Sequence, residues 1–334
     1  MLQKLIYPSN IQNIQLPINL VESDWQRFSE WKTNEVQPAI YEYRLTNAYV
    51  SPLGLIFKNG SLVKESIFDM HKRNVNSLTF YKKILFGKVK YINESCIVGH
   101  HAWYDNYGHW NSECLPRIFA LKQYHKDSVL ILPEILKPYH EQILSFFDFK
   151  DVVYCKMDEV IKAKEVIFTN HTTNGFGNYR PEIFKEMVAF FKSKIVIKEY
   201  NLPNIYTLRP NAPKRRCVNE EHVLDVLKEF KFEPILMDNF TLQEQISIFC
   251  QAKNVVGVHA SSFVNLMYMK PGGIVFDLIE KNHKDICFSN LANVFNIDYV
   301  LLESEGHGPE QSFRENDIEV DLKSLKINLN QFLR

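Results

Sequence analysis

Four stretches of this chain group residues that could do chemistry. The first is Gly257-Val258-His259-Ala260-Ser261-Ser262-Phe263-Val264-Asn265, which follows the apolar run Asn254-Val255-Val256. It has the pattern of a buried strand, a tight turn of small residues and the start of a helix. Such a turn exposes backbone N–H groups at a positive helix end, a seat for phosphate. His259 and Asn265 add polar side chains beside it. The second stretch runs from Asp105 to Arg117 through Tyr107-Gly108-His109-Trp110 and Glu113. If His109 opens a helix, Glu113 lies one turn on and on the same face. A carboxylate there orients an imidazole and raises its basicity, as a general base requires. The third is Thr207-Leu208-Arg209-Pro210, continuing to Lys214-Arg215-Arg216. An arginine at a strand end, followed by a prolyl loop with three more cations, suits bidentate phosphate recognition. The fourth is Gly272–Glu280, a strand whose Asp277 and Glu280 stand near its exit, where a carboxylate could accept from ribose hydroxyls.

Each stretch also fits a plainer structure. Asp105 or Asn106 could cap a helix beside an ordinary ion pair. The basic loop could be solvated, the small-residue turn a serine-capped connection, and the carboxylates surface groups.

The elements that must position these groups follow from periodicity. Residues 109–124 suggest a helix with Trp110, Cys114, Leu115, Ile118 and Leu121 along one face, beginning either at His109 or near Leu115 with Pro116 in its first turn. Strands are expected at 128–132, 152–154 and 165–169, and helices at 137–147 and 181–195. Later the alternation becomes regular. Strands at 204–208, 233–237, 254–258, 274–279 and 297–302 alternate with helices at 219–230, 241–251 and 284–295. Such βαβ alternation predicts a parallel sheet with helices on both faces and a ligand at the carboxyl ends of its strands. Residues 1–100 look irregular and strand-rich, with strands at 41–45 and 49–57 and a hairpin turn at Lys58-Asn59-Gly60-Ser61, since Asn-Gly accepts positive φ. The expected plan is two α/β units, a domain over 1–198 and another over 199–320, and a terminal helix over 321–334 that packs back on the first domain.

With 334 residues the chain has room for two ordinary domains. Lys plus Arg balances Asp plus Glu at 39 each, so no global field favours nucleic acid or anionic lipid. No membrane-spanning run or signal-peptide core is evident, which predicts a cytoplasmic protein with peripheral membrane association open. The six cysteines are widely spaced with no Cys-x-x-Cys pair, and read as reduced thiols rather than a zinc site.

Other signals carry less. His100-His101 lacks carboxylate or cysteine partners at metal spacing. Gly175-Phe176-Gly177 has no following helix signature. Lys82-Lys83 and Lys88 with Lys90 read as solvated faces. The absence of Asp-x-Asp leaves a metal-bridged diphosphate site without support.

In their order, these motifs resemble glycosyltransferase family 61. The resemblance rests on Asn106-Tyr107-Gly108-His109-Trp110, Glu113-x-Leu115-Pro116-Arg117, Arg209, Arg215-Arg216, Asn219-Glu220-Glu221, Glu244-Gln245, Gly257-Val258-His259, Asn265, Pro271-Gly272 and Asp277. Leu291-Ala292 and Asp298-Tyr299 extend it, so that it covers roughly 95–302. It implies a GT-B-like α/β fold, two Rossmann-like domains facing across a cleft. It further implies an inverting transfer from a nucleotide-sugar co-substrate, usually a UDP-sugar, with no metal or other cofactor. The first half would supply the acceptor site and base, His109 with Glu113. The second would hold the donor through Arg209, Arg215, Arg216, His259, Ser261, Ser262, Asn265 and Asp277. The acceptor would be a glycan or lipid-linked hydroxyl, in capsule or lipopolysaccharide synthesis. The family usually carries His-Gly-Ala-Gly where this chain has His259-Ala260-Ser261-Ser262, and glutamate where Asp277 stands. Losing glycine restricts positive φ, so a different turn is expected. Two alternatives are a nucleotide-sugar epimerase on a similar fold and a non-catalytic nucleotide-sugar or glycan-binding module.

Overall fold

A computed structural model describes residues 1–21, 23–24, 34–68, 77–172 and 177–333. Of the Gly175-Phe176-Gly177 stretch, only Gly177 falls among them. The chain forms two compact units, Met1–Gln12 with Val36–Met187, and Asn13–Glu35 with Val188–Arg334. The second unit therefore takes in an early segment as well as the last part of the chain.

In chain order the strands of the first half are β1 (Leu2–Tyr7), β2 (Asn10–Asn13), β3 (Asn34–Gln37), β4 (Ile40–Val50), β5 (Ile56–Lys58), β6 (Ser61–Leu62), β7 (Lys88–Val98), β8 (Val129–Pro133), β9 (Asp151–Cys155) and β10 (Glu159–Thr169). Eight of them make one sheet in the order β6-β5-β4-β10-β7-β8-β9, with β1 beside β4. Its β10-β7-β8-β9 part is parallel, and β1, β4 and β5 join antiparallel. The early strands thus extend the α/β sheet rather than forming a separate region. The β5–β6 turn is the expected hairpin, with Asn59 at φ 50° and Gly60 at φ 73°. Strand β7 has no counterpart in the periodicity. Its first half is largely exposed, with Lys88 and Lys90 in water, and only Cys96-Ile97-Val98 enter the core.

After β7 the chain turns into a helix over 107–122. Asn106 caps it, its side chain accepting from the N–H groups of Gly108 and His109. Residues Trp110–Cys114 form a wide π-helical turn before regular helix Leu115–Lys122. Pro116 explains the widening. It offers no N–H to the carbonyl four residues back, and its ring would crowd that carbonyl in a regular turn. Both expected starts are therefore reconciled, with one helix entered at Tyr107 and widened ahead of the proline.

The second unit holds β11 (Asn204–Thr207), β12 (Glu233–Ile235), β13 (Asn254–Val258), β14 (Ile274–Glu280), β15 (Asp298–His307) and β16 (Asp317–Glu319), in the order β12-β11-β13-β14-β15-β16. All pairs are parallel except β15–β16. Counted from β11, the parallel strands run 2-1-3-4-5, a doubly wound order whose switch point lies between β11 and β13. Strands β13 and β14 are buried along their whole length, as a sheet covered on both faces requires. Helix Leu322–Phe332 puts Leu325 and Leu329 into this core beside Val223 and Leu227. It belongs to the second unit, not the first as expected, because its narrow apolar face completes the layer over β15. The early segment joins the same sheet, since Ile18 donates to the carbonyl of Tyr299 at 2.8 Å. Asn19 bonds Leu301 through both N–H and carbonyl. All six cysteines are free thiols. Among the described residues no helix is long and apolar enough to cross a membrane.

Gly257 shows how tightly the second sheet is closed. A Cβ there would lie 2.1 Å from Thr207 Oγ1 and 2.8 Å from Phe263 Cε1. Gly257→Ala is expected to destabilise the protein by about 1–3 kcal/mol, read as a lowered urea midpoint. An unchanged midpoint would show that the β11–β13 contact yields easily.

Candidate active site

In the first unit the parallel strands β7 and β10 end side by side, Val98 opposite Phe168. Arg117, fully buried in the helix, bonds both ends. Its Nη1 donates to the carbonyl of Gly99 at 3.2 Å and its Nη2 to that of Thr169 at 2.8 Å, while Nε reaches Thr169 Oγ1 at 3.3 Å. Burial brings its pKa down to about 10, which leaves it charged at neutral pH. The helix that carries His109 and Glu113 is thereby fixed to the strand that delivers His100 and His101.

His109 and Glu113 meet as their spacing predicts, Nδ1 to Oε2 at 3.0 Å. A second imidazole joins them. His101 Nε2 lies 2.8 Å from the same Oε2, a close ion-pair contact short of hydrogen-bond alignment, and its Nδ1 accepts from the N–H of Trp103 at 3.3 Å. The His101 ring stacks on Phe68 at 4.5 Å, and the His109 ring lies 4.5 Å from that of Trp103. Burial pushes the Glu113 carboxyl upward. The hydrogen bonds and charges of His101 and His109 outweigh it and hold the group below the ordinary carboxylate range. Burial lowers the pKa of His101, against the pull of Glu113. An ionised Glu113 flanked by imidazoles therefore fixes the proton of His109 on Nδ1, which leaves the lone pair on Nε2. Oε1 of Glu113 is buried with no partner. Buried polar atoms rarely stay unpaired, so this one marks a place for water or a hydroxyl.

Spacing alone had set the His100-His101 pair aside. His100 is a structural group, fully buried, its Nε2 3.1 Å from the carbonyl of Pro52, with burial taking its pKa down to about 3. His101 is the site residue that sequence reasoning missed. Its partner arrives from another element, and the only signal for it was a histidine directly after a strand end.

In the second unit, Arg209 and Arg215 come together where β11 ends. Arg209 Nη1 donates to the carbonyl of Arg215 at 3.1 Å. Burial, then the like charge of Arg215, lowers the Arg209 pKa to about 10. Nε of Arg215 is buried without a partner, and its backbone is left-handed at φ 56°. Arg216 does not join them. The left-handed backbone of Arg215 turns the chain, and Arg216 runs beside Asp317-Ile318. Arg216 is exposed, its Nε and Nη2 on Asp317 Oδ2 at 3.0 and 2.6 Å.

Across the switch point, His259 follows β13. The turn differs from the one expected. Ala260 is extended at φ −156°, and a 3₁₀ helix, Ser261–Tyr268, follows with no positive φ. Ala260 and Ser262 therefore replace glycine without strain. Ser261 and Ser262 stand half-buried at this turn, as expected. Asn265 is fully buried and donates to Gln245 Oε1 at 3.1 Å, while Gln245 itself donates to the carbonyls of Met237 and Phe240. Asn265 thus braces the 3₁₀ helix against helix Leu242–Gln251. Asp277 takes part in a hydrogen-bonded chain of its own. It is fully buried within β14, where Oδ2 accepts from His259 Nδ1 at 2.6 Å and from the Tyr299 hydroxyl at 2.5 Å. It thereby orients His259. Glu280 closes a turn, accepting from the N–H and side chain of Asn282.

No curated protein sequence matches the chain. The family model Glycosyltransferase 61 matches residues 107–276, from the first turn of the His109 helix into strand β14. That match spans half of the chain and contains His109, Glu113, Arg209, Arg215 and His259. The chain therefore belongs to glycosyltransferase family 61 and is a glycosyltransferase.

Proposed function

We propose that the protein transfers a sugar, with inversion, from a UDP-sugar to a hydroxyl of a glycan or lipid-linked acceptor. On the GT-B plan that the family resemblance implies, the second unit binds the donor and the first supplies the base. The acceptor hydroxyl gives its proton to Nε2 of His109, which Glu113 orients. The freed oxygen forms a bond to the anomeric carbon as the bond from that carbon to the diphosphate oxygen breaks. The electron pair of that bond leaves with the nucleoside diphosphate. The resemblance also supports a setting in surface polysaccharide synthesis, such as capsule or lipopolysaccharide.

One observation carries the donor assignment. Two half-buried guanidinium groups, Arg209 and Arg215, lie together at a switch point, one with an unpartnered Nε. Like charges so placed repel, and an anion between or beside them removes that cost. Each tetrahedral phosphate of a diphosphate presents pairs of oxygens that match the two parallel N–H groups of a planar guanidinium fork. Isothermal titration with UDP tests this directly. Arg209→Ala is expected to weaken binding at least about tenfold, which corresponds to about 1.4 kcal/mol. An unchanged Kd would remove Arg209 from the donor site. A thermal-shift panel of nucleotide-sugars should then single out the donor, because a bound ligand raises stability by mass action.

A further inference from the structure

The resemblance leads to no metal, yet the second unit gathers three side chains able to bind one. A ring nitrogen each of His259 and His283 and an oxygen of Asp285 form a group whose ligand atoms all lie within 4.8 Å of one another. From these residues we infer a binding site for one divalent ion of the zinc class, with three protein ligands and a fourth position open.

Three further observations point the same way. First, His259 already has the outer support typical of a metal ligand. Its Nδ1 donates to Asp277 Oδ2 at 2.6 Å, which leaves the Nε2 lone pair for an ion, and the Tyr299 hydroxyl fixes Asp277 in turn. Second, His283 is 6% exposed, and its Nδ1 is buried without a partner. Its Nε2 lies 3.9 Å from Asp285 Oδ2 and its ring 5.0 Å from that of His259. Third, the charges are suitable. Two carboxylates, Asp277 on His259 and Asp285 in the group itself, stand beside the two imidazoles and supply the negative charge that a divalent ion draws on. Two imidazoles and a carboxylate are borderline ligands that suit zinc better than calcium or magnesium.

Asp285 is partly open, its side chain 24% exposed, and offers a way in for the ion. His259 lies within the residues matched by the family model, and His283 and Asp285 lie beyond them. Cys287 stands next to it, Sγ 4.0 Å from His259 Nε2.

The test uses untagged full-length protein stripped by a chelator, titrated calorimetrically with Zn²⁺ and spectroscopically with Co²⁺. One equivalent should bind, with the strong visible bands of a four-coordinate cobalt site. His283→Ala and Asp285→Asn should each weaken binding by at least about tenfold, and Tyr299→Phe by a smaller factor. If His283→Ala does not fold, Asp285→Asn at the partly open ligand decides. Absence of binding to the wild type, or binding unchanged in the folded variants, would overturn the site. No nucleotide is present in the titration, so its failure leaves the donor reading standing, and a failed UDP titration leaves the metal site standing.

Discussion

His109→Ala is expected to reduce kcat by about 10²–10⁴-fold while the Kd for the donor nucleotide stays within twofold, as loss of a general base predicts. Arg209 and Arg215, proposed to hold the donor, belong to the other unit. Glu113→Gln should come close to the same loss, because an amide no longer enforces the Nδ1 proton of His109. The two variants separate the possible bases. If the unpartnered Oε1 of Glu113 takes the proton itself, His109→Ala will retain most turnover and Glu113→Gln almost none. Near-normal turnover in both would remove this cluster from catalysis. The acid side follows from the same carboxylate. Its folded pKa lies below the ordinary 4.5, so its contribution to stability is complete above that value and is lost as pH falls through the lower folded value. Glu113→Gln should therefore flatten the acid limb of the stability profile.

Arg117→Met should destabilise the first unit by about 3 kcal/mol or more, from the usual cost of buried groups left unpaired. The carbonyls of Gly99 and Thr169 would both lose their guanidinium donors in a fully buried place. Lysine is not an adequate substitute, since one ammonium cannot reproduce the fork that spans two strand ends. Urea denaturation of Arg117→Met and Arg117→Lys measures this. A loss below about 0.5 kcal/mol in both would mean the strand ends hold without the guanidinium, a cost typical of ordinary surface changes. The effect on turnover should exceed that on stability in Arg117→Lys, because the helix would shift against His101 even where the fold survives.

The regular second half was readable because each strand is a short apolar run between amphipathic helices, as in Asn254–Val258 and Ile274–Glu280. The pairing of His109 with Glu113 was readable because it is local, one turn of one helix. What could not be read depends on contacts between elements. His101 gains its role only when strand β7 and the helix over 107–122 are brought together. Strand β7 itself hides behind an exposed first half. Asp277 is placed correctly near a strand end, but the depth of its strand turns it toward His259 and Tyr299. Arg215 and Arg216 are adjacent, yet a left-handed residue and a strand edge send one inward and one to Asp317. The His283–Asp285 pair has unremarkable spacing, and its third member, His259, lies in a different loop.

The early segment bound to strand β15 has a consequence for the order of synthesis. Asn19 leaves the ribosome 282 residues before Leu301, and Ile18 likewise long before Tyr299. Residues 36–187 can fold as they emerge, since the rest of their unit is the still earlier Met1–Gln12. The segment around Ile18 must wait, without its partner strand, until Tyr299 and Leu301 have emerged. A nascent chain stalled before residue 298 would carry a finished first unit and an incomplete second one. The second sheet therefore closes only once β15 has been made.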